Sequence, residues 1–181
     1  MSNAQELFRQ LQEQLKKSAK FGYAASLMAW DHKTYMPDGG ADGRAEALAA
    51  VETESFKIFT SDSTGEILDK LSAVSSDLNS TQKLFYDRVK AMYGRQKKIP
   101  ADFFESFSLI KSKAQTIWVL AKQASDFKLF QSSLEEIYGF VRQLAEIQGY
   151  QENPYDALLP DYEPGMTAKQ LKPGAKREQR A

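Results

Sequence analysis

The stretch 102–125 constrains the fold most, because its apolar residues recur at alternating spacings of four and three. Such spacing places them on one face of an α-helix for about three heptads. We expect this seam to belong to the core of a helix bundle; on an outer surface it would instead promote self-association. The series consists of Phe103, Phe107, Ile110, Ala114, Ile117, Ala121 and Ala124.

Other segments have the same helical periodicity, and we found no convincing strand-like alternation. The predicted fold class is therefore all-α, a bundle of about six mostly antiparallel helices. Residues 153–167 hold three prolines and a glycine, which predicts an irregular Pro/Gly-rich connector. The other helices are predicted over 5–30, 43–59, a short segment after residue 62, 81–96 and 130–148.

Each predicted helix has an apolar face that we expect to be buried. Asp42 is the predicted N-cap of the second helix. Asp62 or Ser63 is the predicted N-cap of the third, and Ser63 as the cap would form a capping box with Glu66. The predicted stripe of the first helix is Leu7, Leu11, Leu15, Ala19, Tyr23 and Leu27. The predicted buried residues of the second and fourth helices are Ala47, Val51, Phe56, Leu84, Phe85, Val89 and Met92.

Composition excludes several classes of function. Lys and Arg total 24, as do Asp and Glu, so the basic excess typical of nucleic-acid binding is missing. The sequence has no cysteine, which excludes disulfides, thiolate nucleophiles and Cys-ligated zinc, and fits a cytoplasmic location. No apolar run is long enough to predict a membrane span.

Two long strings of residues, 30–46 and 153–167, are distinctive in combination. The first contains Trp-Asp, then Thr-Tyr-Met-Pro, a glycine pair, and Arg44 at the start of a helix. The second contains Pro-Tyr-Asp-Ala-Leu-Leu followed by Tyr-Glu-Pro-Gly-Met-Thr. In order and separation they resemble the N-terminal region of the thermostable carboxypeptidase Taq family of zinc metallocarboxypeptidases, over roughly residues 6–170.

The resemblance implies that residues 1–170 are the helical N-terminal region of a metallocarboxypeptidase, forming one wall of its substrate groove. The family later reaches a His-Glu-x-x-His helix, whereas residues 171–181 are a polar tail that we predict to be disordered. A truncation, a frameshift or a cloned fragment would produce such an end. The family implies peptide substrates, zinc or cobalt, and a homodimer for the full enzyme. We expect no metal, nucleic-acid or membrane binding by this chain, and no activity alone.

The sequence has one histidine, His32, so it cannot supply the family's pair of histidine ligands. We expect His32 to be a helix-terminal imidazole near carbonyl groups; the alternative is a contact with substrate or another chain. Asp31, Asp38 and Asp42 lack the spacing of a calcium loop, so capping and turns explain them better.

Arg44 is the one candidate substrate-binding residue. A cation at a helix start opposes the helix dipole, so we expect Arg44 to pair with Asp31 or Glu163. The sharper hypothesis is that it binds a substrate carboxylate. We expect Trp30, Tyr35 and Met36 to pack on the bundle rather than line a groove. The alternative function is an independent helical binding or assembly module.

Overall fold

The computed structural model describes residues 2–171, except for the side chain of Asp38. These residues form helices and no strands, which confirms the all-α prediction. The predicted polar tail lies outside the described residues from position 172 onward. The α-helices are α1 (Asn3–Thr34), α2 (Ala41–Phe59), α3 (Asp62–Ser72), α4 (Ser80–Gln96), α5 (Ala101–Ala124) and α6 (Lys128–Gln148).

The chain forms two compact units, Met1–Leu134 and Glu135–Ala181. The first contains α1 to α5 and the start of α6. The second contains the rest of α6 and the connector that follows it. The predicted boundary of the helical region at residue 170 stays a prediction. Within residues 2–171, no helix is long and apolar enough to cross a membrane.

In the first unit, α1 and α2 form an antiparallel pair that packs through small residues. The Ser18 hydroxyl donates to the Ser55 carbonyl at 2.9 Å, and the Ser55 hydroxyl donates to the Ser18 carbonyl at 3.0 Å. A Cβ built on Gly22 would lie 3.8 Å from Ser55 Oγ, and Ala25 is buried. The second half of α1 therefore meets α2 through Ser18, Gly22 and Ala25.

This contact corrects the apolar stripe predicted for α1. Leu7 and Leu11 are buried and Leu15 is half-buried, but Tyr23 and Leu27 are 68% and 50% exposed. Beyond residue 18, the predicted stripe is on the wrong face of α1. Small side chains on another face allow α2 to approach closely, and the large side chains of the stripe are exposed.

Helix α5 packs on α2 in the opposite direction. The rings of Phe56 and Phe104 are stacked with centroids 4.2 Å apart. At the other end of the pair, Lys113 Nζ lies 4.0 Å from Asp42 Oδ1. Both α1 and α5 are thus antiparallel to α2. The seam predicted on α5 is only partly buried: Ala114 and Ala121 are buried, whereas Ala124 is exposed.

The largest core lies where the first half of α1 meets α3 and α4. Two tyrosines of α4 bind main-chain carbonyls here: Tyr86 donates to Leu68 at 3.3 Å and Tyr93 to Ser61 at 3.2 Å. The buried cluster consists of Ala4, Leu7, Phe8, Leu11, Phe59, Leu68, Leu71, Leu78, Tyr86 and Val89.

Several predicted caps and faces are wrong by a residue or more. Gly40, not Asp42, is the N-cap of α2, and Asp42 lies in the first turn, where a carboxylate favours the helix dipole. Ser61 caps α3 in place of the predicted Asp62 or Ser63, and a capping box forms instead on α4, between Asn79 and Gln82. Ala47, Leu84, Phe85 and Met92 are exposed, because α2 and α4 bury the faces that carry Leu48, Thr53, Tyr86 and Val89.

The second unit contains the predicted irregular connector. Gly149 ends α6 with a φ of 80°, which favours glycine. Two short 3-10 helices follow, Pro154–Ala157 and Leu159–Asp161, the first capped by the Asn153 side chain. Asp156 Oδ1 accepts a hydrogen bond from the Ala168 amide at 2.6 Å, which links the first 3-10 helix to the end of this segment.

Candidate functional site

The corner between α1 and α2 is held by an ion pair predicted from the sequence. Arg44 Nη2 lies 2.6 Å from Asp31 Oδ2, and Arg44 Nη1 donates to the Met28 carbonyl at 3.4 Å. The two charged side chains are 26% and 34% exposed. Of the two predicted partners, Asp31 is the one that pairs with Arg44. This guanidinium thus neutralises the Asp31 carboxylate and donates to a main-chain carbonyl near the end of α1.

The turn after α1 is built from main-chain hydrogen bonds. The amides of Tyr35 and Met36 both donate to the Asp31 carbonyl at 3.0 Å, and the Gly40 amide donates to the Pro37 carbonyl at 2.9 Å. A Cβ on Gly40 would come within 3.3 Å of Met36 Cγ, so a side chain there would displace Met36.

The aromatic residues of this corner do not pack on the bundle as predicted. Trp30 and Tyr35 contact each other edge to face, with centroids 5.5 Å apart, and both are exposed. Met36 is half-buried, against Gly40. The corner therefore presents a pair of uncovered aromatic rings next to the Arg44–Asp31 pair.

His32 links α1 to α5. Its Nε2 lies 3.1 Å from Thr116 Oγ1, so its partner is a hydroxyl and not a main-chain carbonyl as we expected. Together with Lys33 it also places basic groups in the last turn of α1, where they favour the helix dipole.

A cavity of about 180 Å³ lies between α1 and α5, with α2 as its floor. We call it the α1–α5 cavity. Its polar wall residues are His32, Lys33, Glu52, Ser108, Lys111, Ser112 and Gln115, and its apolar ones are Ala29 and Leu48. Ala29, Glu52 and Lys111 also line a second cavity of about 450 Å³ further along the same groove.

One polar group of the α1–α5 cavity stands out. Ser108 is only 3% exposed, and its hydroxyl has no hydrogen-bond partner among the described residues. The sequence prediction missed Ser108, Glu52 and Lys111. A weak signal was available for Glu52, since it lies one turn from Leu48 and Phe56 on the face of α2 that is buried.

The side chains present do not fit a catalytic metal site. Residues 2–171 contain no group of three or more His, Cys, Asp or Glu side chains able to hold a metal ion. Asp31 pairs with Arg44, and Asp42 lies near Lys113. Catalytic zinc takes three protein ligands, usually with histidine among them, and His32 is the single histidine of the sequence.

Comparison with known proteins gives a consistent family. The family model described as carboxypeptidase Taq (M32) metallopeptidase matches residues 10–174. Carboxypeptidase 1 of Bacillus subtilis (strain 168) is 40% identical over 157 residues, which cover 87% of this chain and 31% of that protein. The chain thus spans about a third of the length of the curated relatives it matches.

Solved structures agree with the sequence match. The crystal structure of BsuCP superposes with a TM-score of 0.92 at 36% identity, covering 97% of this chain and 35% of that one. The M32 carboxypeptidase of Deinococcus radiodurans R1 gives a TM-score of 0.71 at 28% identity, covering 93% of this chain and 34% of that one.

Proposed function

Because the chain belongs to the carboxypeptidase Taq (M32) metallopeptidase family, we propose that it forms the N-terminal helical part of a metal-dependent carboxypeptidase, which removes residues from the C-termini of peptides. The observation that carries this proposal is the fit of nearly the whole chain to about a third of a relative, with a TM-score of 0.92.

The metal of the whole enzyme, zinc or cobalt, would be bound outside this region. The chain offers one histidine, engaged with Thr116, and no cysteine. Carboxylates alone are poor ligands for catalytic zinc, which favours histidine nitrogen. The water-activating chemistry of such a metal therefore belongs to the part of the relatives that lies beyond the match. On its own this chain would not hydrolyse peptides.

The contribution of this region is one wall of the substrate groove. The exposed side of α1 presents Tyr23, Leu27 and Trp30, spaced four and three apart and therefore on one face of the helix. A contiguous apolar face of this kind usually contacts another part of a protein or a ligand. The homodimer and the cytoplasmic location remain predictions.

A chimera tests the proposal. Residues 10–171 of this chain would replace the matching N-terminal region of Bacillus subtilis Carboxypeptidase 1. We expect the chimera to hydrolyse a blocked dipeptide in a chelator-sensitive reaction, and this chain alone to show no turnover with added zinc or cobalt. Chelator-sensitive turnover by the chain alone, or a folded but inactive chimera, would contradict the proposal.

The substrate-carboxylate role of Arg44 stays a prediction and is testable in the same chimera. Its ion pair with Asp31 favours a positioning role, since a guanidinium bound to one carboxylate is less available to another. Arg44→Met would raise KM for peptides with a free C-terminal carboxylate if the residue binds substrate. If Arg44 only positions the corner, Arg44→Met and Asp31→Asn would lower the stability of the chimera by similar amounts. Neither variant would then change KM.

A further inference from the structure

The turn between α5 and α6 carries an aromatic pocket that is open to solvent. Trp118, near the end of α5, and Phe127, just before α6, are both exposed, and Phe130 is half-buried. With Ala121 these rings line a cavity of about 480 Å³, which we call the α5–α6 pocket. Its residues all belong to the first unit.

The turn holds the rings of this pocket in place through its own hydrogen bonds. Ser125 ends α5 in the left-handed conformation, with a φ of 52°, and the Asp126 amide donates to the Ala121 carbonyl at 2.9 Å. Asp126 Oδ1 accepts from the Lys128 amide at 2.9 Å, which forms an Asx turn at the start of α6. Phe127 is therefore presented by a hydrogen-bonded turn, and a contact with it requires little ordering of the chain.

The polar groups around the α5–α6 pocket have partners within the chain. Lys122 Nζ lies over the Trp118 ring, 4.9 Å from its centroid, and the Asp126 carboxylate accepts from the Lys128 amide. None of the described side chains that line the pocket has a buried polar atom without a partner. A site for a polar small molecule needs convergent polar groups, whereas the core of a protein contact is aromatic and poor in charge. The pocket therefore fits an apolar part of a protein.

The exposed face of α1 differs from this pocket in character. Tyr23 and Trp30 each carry a polar atom, and exposed lysines lie one turn away from them, Lys20 before Tyr23 and Lys33 after Trp30. Such a face stays hydrated, which suits the wall of a groove that peptides enter. The α5–α6 pocket suits a contact from which water is excluded.

The comparisons indicate what covers the pocket. In BsuCP the matching segment is 35% of the chain, so about two thirds of that protein lies outside the match. A part joined covalently to this region can contact the pocket without the loss of translational and rotational freedom that binding of a second copy requires.

We propose that, in the whole enzyme, the α5–α6 pocket receives an apolar side chain from the part of the enzyme that lies beyond the match. Trp118 and Phe127 make the main contacts, and Lys122 and Asp126 form the polar rim. This docking surface rests on the proposed function, because it requires the remainder of a carboxypeptidase of this family as its occupant.

Hydroxyl-radical footprinting tests the contact. The full chain alone, and the chimera that carries residues 10–171 in Bacillus subtilis Carboxypeptidase 1, are oxidised side by side, and mass spectrometry gives the oxidation rates of Trp118 and Phe127. We expect both rings to react several-fold more slowly in the chimera, because the contact excludes water from them. Equal rates would overturn the proposal. Protection in the full chain alone that grows with protein concentration would also overturn it, since a second copy would then be the occupant.

This measurement separates the docking surface from the proposed function, because oxidation rates do not depend on activity. An active chimera with unprotected rings would overturn the docking surface and leave the proposed function standing. A folded but inactive chimera with protected rings would support the docking surface and contradict the proposed function.

Matched variants then assign the contact to the pocket. Phe127→Ala should lower the midpoint of thermal unfolding of the chimera by a few degrees and leave that of the full chain alone nearly unchanged, because Phe127 is exposed there. Leu120→Ala is the control, since Leu120 is also exposed but, two residues from Trp118, projects from the opposite side of α5. Equal shifts of the chimera by the two variants would show that the pocket is not the contact.

Discussion

The two halves of α1 pack in opposite ways. The first half buries large side chains, Leu7, Phe8 and Leu11, against α3 and α4. The second half packs small side chains on α2, half-buried Ser18 and buried Ala25 among them, and leaves Tyr23, Leu27 and Trp30 exposed. In the first half of this continuous helix, the large side chains are buried by the rest of the chain. In the second half, large side chains are exposed; we call this the open half.

This difference separates the half of α1 that stabilises the fold from the half whose large side chains are exposed. Large buried side chains account for stability, since their removal from water supplies most of the favourable free energy. Large exposed side chains such as Tyr23 and Trp30 contribute little to stability, and are suited to contacts beyond this region. The Arg44–Asp31 corner and the α1–α5 cavity both adjoin the open half.

The sharpest test of the comparison is one truncation in each half. Leu11→Ala should lower the free energy of unfolding by about 3 kcal/mol, because Leu11 is fully buried and the truncation leaves a cavity. Leu27→Ala, the same change on the exposed face, should cost less than about 0.5 kcal/mol. Urea unfolding measures both. Similar losses would mean that the exposed face of α1 is covered in solution.

Substitutions of two glycines, Gly65 and Gly94, test how tightly α3 and α4 pack beside the first half of α1. A Cβ on Gly65 would come 2.5 Å from the Tyr93 hydroxyl, which donates to the Ser61 carbonyl. Gly65→Ala should therefore cost about 1–3 kcal/mol through displacement of Tyr93. Gly94→Ala, with open space around its Cβ, should instead stabilise α4 by about 0.5–1 kcal/mol. Thermal unfolding of both variants gives the signs, and a stabilising Gly65→Ala would disprove close packing here.

Helix positions were predictable from the sequence because their signals are local. The predicted ranges 43–59, 81–96 and 130–148 have ends within about two residues of those observed, whereas α1 ends at Thr34 and not at residue 30 as predicted. The Arg44–Asp31 pair was predictable too, since a cation at a helix start needs a nearby anion. These features depend on neighbours in sequence.

The buried faces and the cavity were not predictable in the same way. Periodicity finds the large apolar stripe of α1, but it cannot tell which side another helix covers. There, Ser18 and Gly22 allow the closer approach, and α2 packs on them. Glu52 lies on α2, and Ser108 and Lys111 lie on α5, far along the chain from Glu52, so no sequence motif joins them. The cavity emerges only from the packing of α1 and α5 on α2.

A double-mutant cycle on the Arg44–Asp31 pair, near the C-terminal end of α1, should give a smaller effect on the free energy of unfolding. Arg44→Met and Asp31→Asn should each cost about 1 kcal/mol, because the pair is partly exposed. The double variant should cost no more than about the larger single change if the two groups act mainly on each other. Chemical unfolding of the four proteins gives the coupling energy. Additive losses would mean that Arg44 contributes chiefly through its contact with the Met28 carbonyl.

The smallest expected effect is a pH dependence of the free energy of unfolding. It arises at the corner between α2 and α3, beside the first half of α1. Lys97 Nζ donates to the Thr60 carbonyl at 2.8 Å and to Asp62 Oδ1 at 2.7 Å. The hydrogen bond and the charge of Lys97 lower the pKa of Asp62 below its usual 3.8. The Asp62 carboxylate thus binds a proton less readily in the folded chain than in the unfolded chain. The stabilisation is therefore present above the pKa that Asp62 has in the unfolded chain, and it is lost as pH falls through the pKa that Asp62 has in the folded chain.

We expect Lys97→Met to remove this part of the acid sensitivity. Unfolding free energies at about pH 6 and about pH 3 should differ less in the variant than in the parent chain. Glu6 provides an internal reference, because hydrogen bonds from Arg9 and Gln10 lower its pKa to about 2 and do not involve Lys97. Its contribution should therefore persist in the variant. Unchanged acid sensitivity in Lys97→Met would mean that the ion pair adds nothing, and that the corner is held by the Tyr93–Ser61 hydrogen bond and the Ser61 cap.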